Sequence, residues 1–287
     1  MSQPYIIFSL VCGASTLLIS RASVYRLMSY DGIESTDIEL NTANNAIMDG
    51  GYVQSTRLGM RSINIKFAVS DKAQTETLRA VLISFFKPKS EYTLYVTRNG
   101  VTRRIYCNLS SRPDFEQPNI IYDWLQVSIN LTCPNPYFLD ETDTTEQYLV
   151  YQALLNFPVT FFPGGGLTTG VQVTSNTISI VNSGDEEIGV IIDILADKGS
   201  ITNPKITLDG VDYVKVVTVL TQGSTLTIDT RPGKKDILID DVSSFIYDIT
   251  SVFFSVPVGT HTLVISADAG VTNADASFTY ALKYLGV

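Results

Sequence analysis

Histidine is nearly missing from this sequence. Among 287 residues only His261 occurs, so any Ser-His-Asp or Cys-His relay would have to use that one imidazole. Cysteine is sparse as well. Cys12, Cys107 and Cys133 lie far apart and form no C-x-x-C pair, which argues against a zinc site of the usual ligand types. An odd, scattered set reads as reduced, buried thiols in a protein folded in cytosol, and the N-x-S/T matches at Asn108 and Asn130 are then coincidental. Charge is also scarce, at 17% against roughly 25% in an average soluble domain. Basic residues number 20 and acidic residues 29, a net charge of −9, which argues against a nucleic-acid-binding surface. Long apolar runs of the roughly 18 residues that span a membrane are lacking. Residues 5–20, YIIFSLVCGASTLLIS, come nearest, but MSQP before them has no positive charge and no cleavage pattern follows before Arg21. They read as opening β-strands rather than a signal peptide.

What is present has a period of two. Ile63, Ile65, Phe67 and Val69 fall on one face of a strand, Leu125, Val127, Ile129 and Leu131 alternate with polar neighbours, and Ile105, Cys107 and Leu109 repeat the spacing. The second half repeats the pattern in Leu226/Ile228, Ile237/Ile239 and Leu263/Ile265. Such alternation buries one face of a strand and wets the other. Turn pairs punctuate it at Asp31-Gly32, Asp209-Gly210, Pro232-Gly233 and Asn99-Gly100, the last being a strong hairpin signal. One segment departs from the pattern. Residues 71–86 place Leu78, Val81, Leu82, Phe85 and Phe86 at helical spacing, with Asp71 and Gln74 resembling a capping box and Pro88 as a stop. The expectation is an all-β chain with one helix laid on a small barrel.

A boundary is expected near residue 150, giving domains 1–150 and 151–287. Two prolines (Pro134, Pro136), an acidic run at 140–147 and Gly164-Gly165-Gly166 cluster around it. Residues 1–150 carry 13 basic and 15 acidic side chains, and 151–287 carry 7 and 14, so the acid sits mostly in the second half.

Candidate chemistry finds no address. The triple glycine lacks the trailing G-K-[ST] of a phosphate loop. Asp185-Glu186-Glu187 and Asp240-Asp241 lack the alternation of an EF-hand and read as solvated turns. His261 stands at a loop-to-strand edge without a G-x-S-x-G nucleophile elsewhere. Trp124, the only tryptophan, reads as core or domain-interface filler. No catalytic, cofactor-binding or metal-ligating residue is expected, and no enzyme.

The order of segments in the second half carries more information. NSGDEEIGVIIDILADKGSITNPKITLDG from Asn182 is followed by LTIDTRPGKKDILID, SVFFSVPVGTHTLVIS and a closing YALKYLGV. This order resembles the C-terminal domain of the distal tail proteins of long-tailed (siphovirus) phages. The first half, from GGYVQSTRLGMRSINIKFAV through FFKPKSEYTLYV to the exit Pro134-Asn-Pro-Tyr-Phe138, is similar to that family's ring domain. The resemblance implies a small N-terminal β-barrel with an extended hairpin, six copies of which close a ring below the tail tube. It implies a C-terminal galectin-like β-sandwich outside the ring, where receptor-binding or baseplate proteins dock. It further implies a tail-tip (virion) location after synthesis in the host cytoplasm. The implied partners are itself, the tail tube protein, a tail-associated hub or lysin protein and the adhesion proteins, with DNA passing the lumen unbound and no membrane contact. Residues 31–57, polar and turn-rich, belong either to subunit contacts or to a solvated surface loop. The rival readings are a carbohydrate-binding adhesion module and a carboxylate-based hydrolase.

Overall fold

The structure, a computed structural model, describes residues 6–45, 49–71, 73–116, 124–148, 151–153, 170–172 and 177–287. They form two compact units, Met1–Thr142 with Lys283–Val287, and Asp143–Leu282. The position at which the sequence suggests a boundary, residue 150, lies outside the described residues, as does the triple glycine.

The first unit is a closed barrel. Strands β1 (Ile6–Cys12), β2 (Ser15–Ser20) and β3 (Tyr25–Asp31) open it. After a separate hairpin of β4 (Ile38–Asn44) and β5 (Gly51–Leu58) come β6 (Arg61–Val69), helix α1 (Thr75–Phe85), β7 (Glu91–Arg98), β8 (Val101–Leu109), the short β9 (Asp114–Glu116), β10 (Gln126–Cys133) and β11 (Phe138–Asp140). The strand order β8-β7-β1-β2-β3-β6-β10 closes on itself where β10 pairs back onto β8. A closed barrel leaves no open edge within the ring of strands. The period-two signal is obeyed: Ile63, Ile65, Phe67 and Val69 are all buried inside, with Leu94, Ile105, Val127, Ile129 and Leu131 from neighbouring strands. Phe67→Ala should therefore cost about 3–5 kcal/mol in urea unfolding, and a loss below about 1 kcal/mol would refute its burial. The Asn99-Gly100 turn joins β7 to β8 in register Arg98↔Val101, both residues at positive φ (52° and 84°), the geometry a two-residue type I′ hairpin requires.

The helix is shorter than its periodicity suggests. It begins at Thr75, not Asp71, and Gln74 makes no side-chain cap. Asp71 instead accepts a hydrogen bond from the Ala73 N–H, and its carbonyl accepts from the Thr75 hydroxyl, which forms a turn ahead of the helix. Leu82 is buried while Leu78 and Phe85 pack partly against the barrel core. Val81 lies off that face and is half exposed.

The second unit is a sandwich. Its strands are β12 (Thr144–Tyr148), β13 (Tyr151–Ala153), β14 (Gly170–Gln172), β15 (Thr177–Asn182), β16 (Val190–Ala196), β17 (Ile201–Thr202), β18 (Lys205–Leu208), β19 (Asp212–Lys215), β20 (Val219–Leu220), β21 (Thr225–Asp229), β22 (Asp236–Ile239), β23 (Val242–Ser243), β24 (Gly259–Ser266) and β25 (Ala274–Tyr280). One sheet runs β12-β25-β16-β21-β22-β23 and the other β15-β24-β18-β19. Ile192, Ile194, Leu226 and Phe278 of the first share one core with Ile180, Ile206, Leu263 and Ile265 of the second, the interdigitation expected of packed sheets.

Candidate assembly interface

The residues that read as chemical candidates hold turns. Asp240 and Asp241 form the two-residue link between β22 and β23, both at positive φ (49° and 64°), and the Asp240 carboxylate accepts from the Thr225 N–H at 2.8 Å. His261 Nδ1 lies 2.6 Å from Asp209, whose other oxygen accepts from the Thr262 N–H. These bonds, the one from His261 first, hold the Asp209 carboxyl below the ordinary carboxylate range. His261 Nε2 has no hydrogen-bond partner among the described residues. No group of three or more His, Cys, Asp or Glu among the described residues could hold a metal ion. Trp124 is 40% exposed rather than core.

The ordered motifs of the second half are structural as well. Asn182 is buried, and its amide donates to the carbonyls of Glu186, Val256 and Pro257 while its oxygen accepts from the Gly184 N–H. Thr230, equally buried, exchanges hydrogen bonds with both backbone groups of Val190. Asp229 and Arg231 form a bidentate pair across the following turn, Nε donating to Oδ1 and Nη2 to Oδ2. Asn182→Ala would strip donors from buried carbonyls at a cost of about 2–3 kcal/mol, measurable by urea unfolding.

The feature without an internal purpose is the β4–β5 hairpin. It forms a two-stranded sheet of its own, and such a hairpin is marginal alone in water. It nevertheless exposes Ile38 (64%), Leu40 (58%), Tyr52 (56%) and Val53 (56%). Its Arg57–Glu39 ion pair is solvent-exposed and contributes little. Contiguous exposed apolar side chains of this kind are candidate interaction surfaces.

The hairpin's root is built with care. Ile33 inserts into the barrel core. Gly32 sits at φ +85°, where a Cβ would meet the Ser62 carbonyl at 2.0 Å, so only glycine fits there. Arg61, 1% exposed, is the largest fully buried side chain. It faces no carboxylate among the described residues. Its guanidinium donates to the carbonyls of Gly32, Ser35, Pro136 and Leu285 and lies 4.9 Å from the Phe138 ring centre. Burial lowers its pKa, with Cys133 as the smaller, opposing influence. Arg61 thus ties the hairpin's root, the β10–β11 connection and residues 283–287 into one cluster. Arg103 adds a bond to the Gly286 carbonyl, and Arg98 binds both Glu34 and Val287.

The second unit presents another uncovered surface. Phe245 (84%) and Ile249 (95%) are the most exposed large apolar side chains among its described residues. Their segment is not loose: Val217 N–H donates to Ile246, Asp248 N–H to Lys215 and Val252 N–H to Tyr213. Asp248, whose carboxyl is held below its ordinary range by the Thr250 N–H foremost, closes the turn. By these unit boundaries, residues 143–282 hold 16 acidic and 6 basic side chains, and the first unit 13 and 14.

A family model described as a phage tail protein RIFT-related domain matches residues 20–133, and one described as a siphovirus-type tail component, C-terminal domain, matches 183–284. Together they match well over half of the chain. Among curated proteins none matches. The solved structure of the SPP1 Dit protein, titled a paradigm of the hub adsorption apparatus in phages infecting Gram-positive bacteria, is similar at a TM-score of 0.67. The two are 13% identical over 97% of this chain and 99% of that one. A chain of the phage P2 baseplate in its activated, calcium-bound conformation is similar at a TM-score of 0.52, with 12% identity over 98% and 99%. The strontium-bound form gives a TM-score of 0.53 with 12% identity over 98% and 99%.

Proposed function

The chain belongs to the siphophage distal tail protein family and is a structural component of the phage tail, and from that premise we propose that it is the hub of the tail tip, a homohexameric ring joining the tail tube to the host-adhesion apparatus. The observation that carries this reading is the rooted β4–β5 hairpin with its uncovered apolar side chains. A closed ring needs two different patches on each subunit, and a projecting hairpin supplies one that a neighbour can cover.

In this reading the residues expected as domain 1–150 form the ring and those of 151–287 face outward. The first unit is near neutral, so a lumen lined by it would hold few phosphate-attracting charges, and each avoided contact removes salt-dependent affinity for passing DNA. The tube protein and a tail-associated hub or lysin protein contact the ring's two ends. Receptor-binding or baseplate proteins dock on the second unit, where Phe245 and Ile249 stand exposed. The chain acts as scaffold rather than enzyme and is made in the host cytoplasm before joining the virion.

The test is to mix the purified chain with the tail tube protein of the same phage and image the product. Tubes capped at one end by the chain are expected, and tubes that never bind it would contradict the reading. A second reading, a carbohydrate-binding adhesion module, draws on the exposed Phe245 and Tyr247, since aromatic faces suit sugars. Titration with cell-wall polysaccharide separates the two, because saturable binding at about millimolar or tighter by the isolated chain favours adhesion.

A further inference from the structure

Two of the three cysteines sit opposite each other at the seam of the barrel. The seam is the pairing of β10 with β8, in register Leu131↔Leu109 and Thr132↔Asn108. One step further along the same register sets Cys133 against Cys107. Both side chains are buried, at 0% and 1% exposure, and both belong to the barrel core. The Cys107 thiol also reaches the Tyr92 carbonyl at 3.5 Å.

The backbone pattern adds a geometric constraint. Ser110 N–H donates to the Asn130 carbonyl, which marks 110 and 130 as a hydrogen-bonded pair. Antiparallel pairs alternate between bonded and non-bonded positions. Counting along the seam, 108 and 132 are bonded, and 107 and 133 occupy a non-bonded position. There the Cα atoms approach to about 4.5 Å and side chains lie closest, within the roughly 4.4–6.8 Å that a disulfide spans. Pro134 follows Cys133 and carries no N–H, so the backbone ladder cannot extend past this point.

We propose that Cys107 and Cys133 are a latent disulfide that closes the barrel seam covalently once the protein leaves a reducing compartment. The oxidant class is a small-molecule disulfide. One cysteine, as thiolate, attacks it and releases one small thiol, leaving a mixed disulfide. The second cysteine then attacks the protein sulfur and releases the second small thiol. Two protein thiols thereby lose two protons and two electrons, one S–S bond forms, and the small disulfide is reduced to two thiols. The neighbouring Cys133 thiol, and burial after it, push the Cys107 thiol far above its ordinary range, so few molecules hold a thiolate at neutral pH and the reaction is slow. The cross-link would tie one of the two shortest strand pairings in the ring, β10 with β8, and would restrict the unfolded chain between residues 107 and 133. In a reducing cytoplasm the pair stays as two thiols, which leaves folding and assembly unimpeded.

The experiment uses the full chain, purified under reductant, then held folded with oxidised glutathione at mildly alkaline pH. Peptide mapping without reduction is expected to find a 107–133 linked peptide lighter by two hydrogen atoms. The thermal midpoint of the oxidised chain should rise and return to its starting value with reductant. Both thiols remaining fully alkylatable after denaturation, a persistent glutathione adduct in place of the link, or a link through Cys12 instead would each overturn the proposal. A linked form with a lower midpoint would overturn the stabilising role.

Discussion

Arg61→Met should lower the stability of the first unit by about 3–5 kcal/mol. The substitution keeps most of the side-chain volume, so a cavity is not the cause. The cost comes from the carbonyls of Gly32, Ser35, Pro136 and Leu285, which lose the donors that the guanidinium aims at them. A buried acceptor without a donor costs about 1–3 kcal/mol, and some of these would recover water as the cluster loosens. Arg61→Lys should rescue little of this, because an ammonium has three donors on a flexible stem and cannot reproduce the planar fork. The sequence supplies a convenient reporter. Trp124 is the only tryptophan and lies in the first unit, so urea unfolding followed by its fluorescence reads that unit alone. A loss below about 1 kcal/mol would show that the cluster is not the keystone described above.

Replacing Ile38, Leu40, Tyr52 and Val53 together by serine should abolish self-assembly while leaving the unfolding midpoint unchanged. None of the four contributes to either core, so folding loses no buried apolar surface. An interface would lose four side chains, each contributing about 1.5–3 kcal/mol when fully buried. Even partial burial predicts association at least a hundredfold weaker, since each tenfold corresponds to about 1.4 kcal/mol. Sedimentation at matched concentrations reads the first effect and Trp124 fluorescence the second. Unaltered assembly would remove the hairpin from the interface, and a large drop in midpoint would show that it serves its own unit.

The β-character of both units was legible in the sequence because alternation reports burial directly, whereas the assignment of the second unit as a sandwich came from the resemblance. Ile63 through Val69 and Leu125 through Leu131 face the core as their spacing requires. The helix was legible in kind but not in extent: Asp71 spends its carboxylate on the Ala73 N–H, and a three-residue pattern cannot show which backbone group a side chain serves. Segment 31–57 was ambiguous for a physical reason. In the proposed reading the ribbon's apolar residues meet another chain, yet its composition is that of a solvated loop, and nothing within one chain distinguishes them. Arg61 could have been found. It shares the parity of Ile63, Ile65 and Phe67, and a charged residue at an inward position of a strand announces a buried polar cluster. The carbonyls that surround it come from residues 32 to 285 and leave no local signature. The seam cysteines were equally hidden, because positions 107 and 133 face each other only once the barrel closes.

The most direct measurement is the mass of the purified full chain in solution by sedimentation, with negative-stain images of the same sample. Six 31.5 kDa copies in a closed particle with a central hole are expected. A chain that stays monomeric at every concentration, and remains so when mixed with its tail tube protein, would contradict the hub.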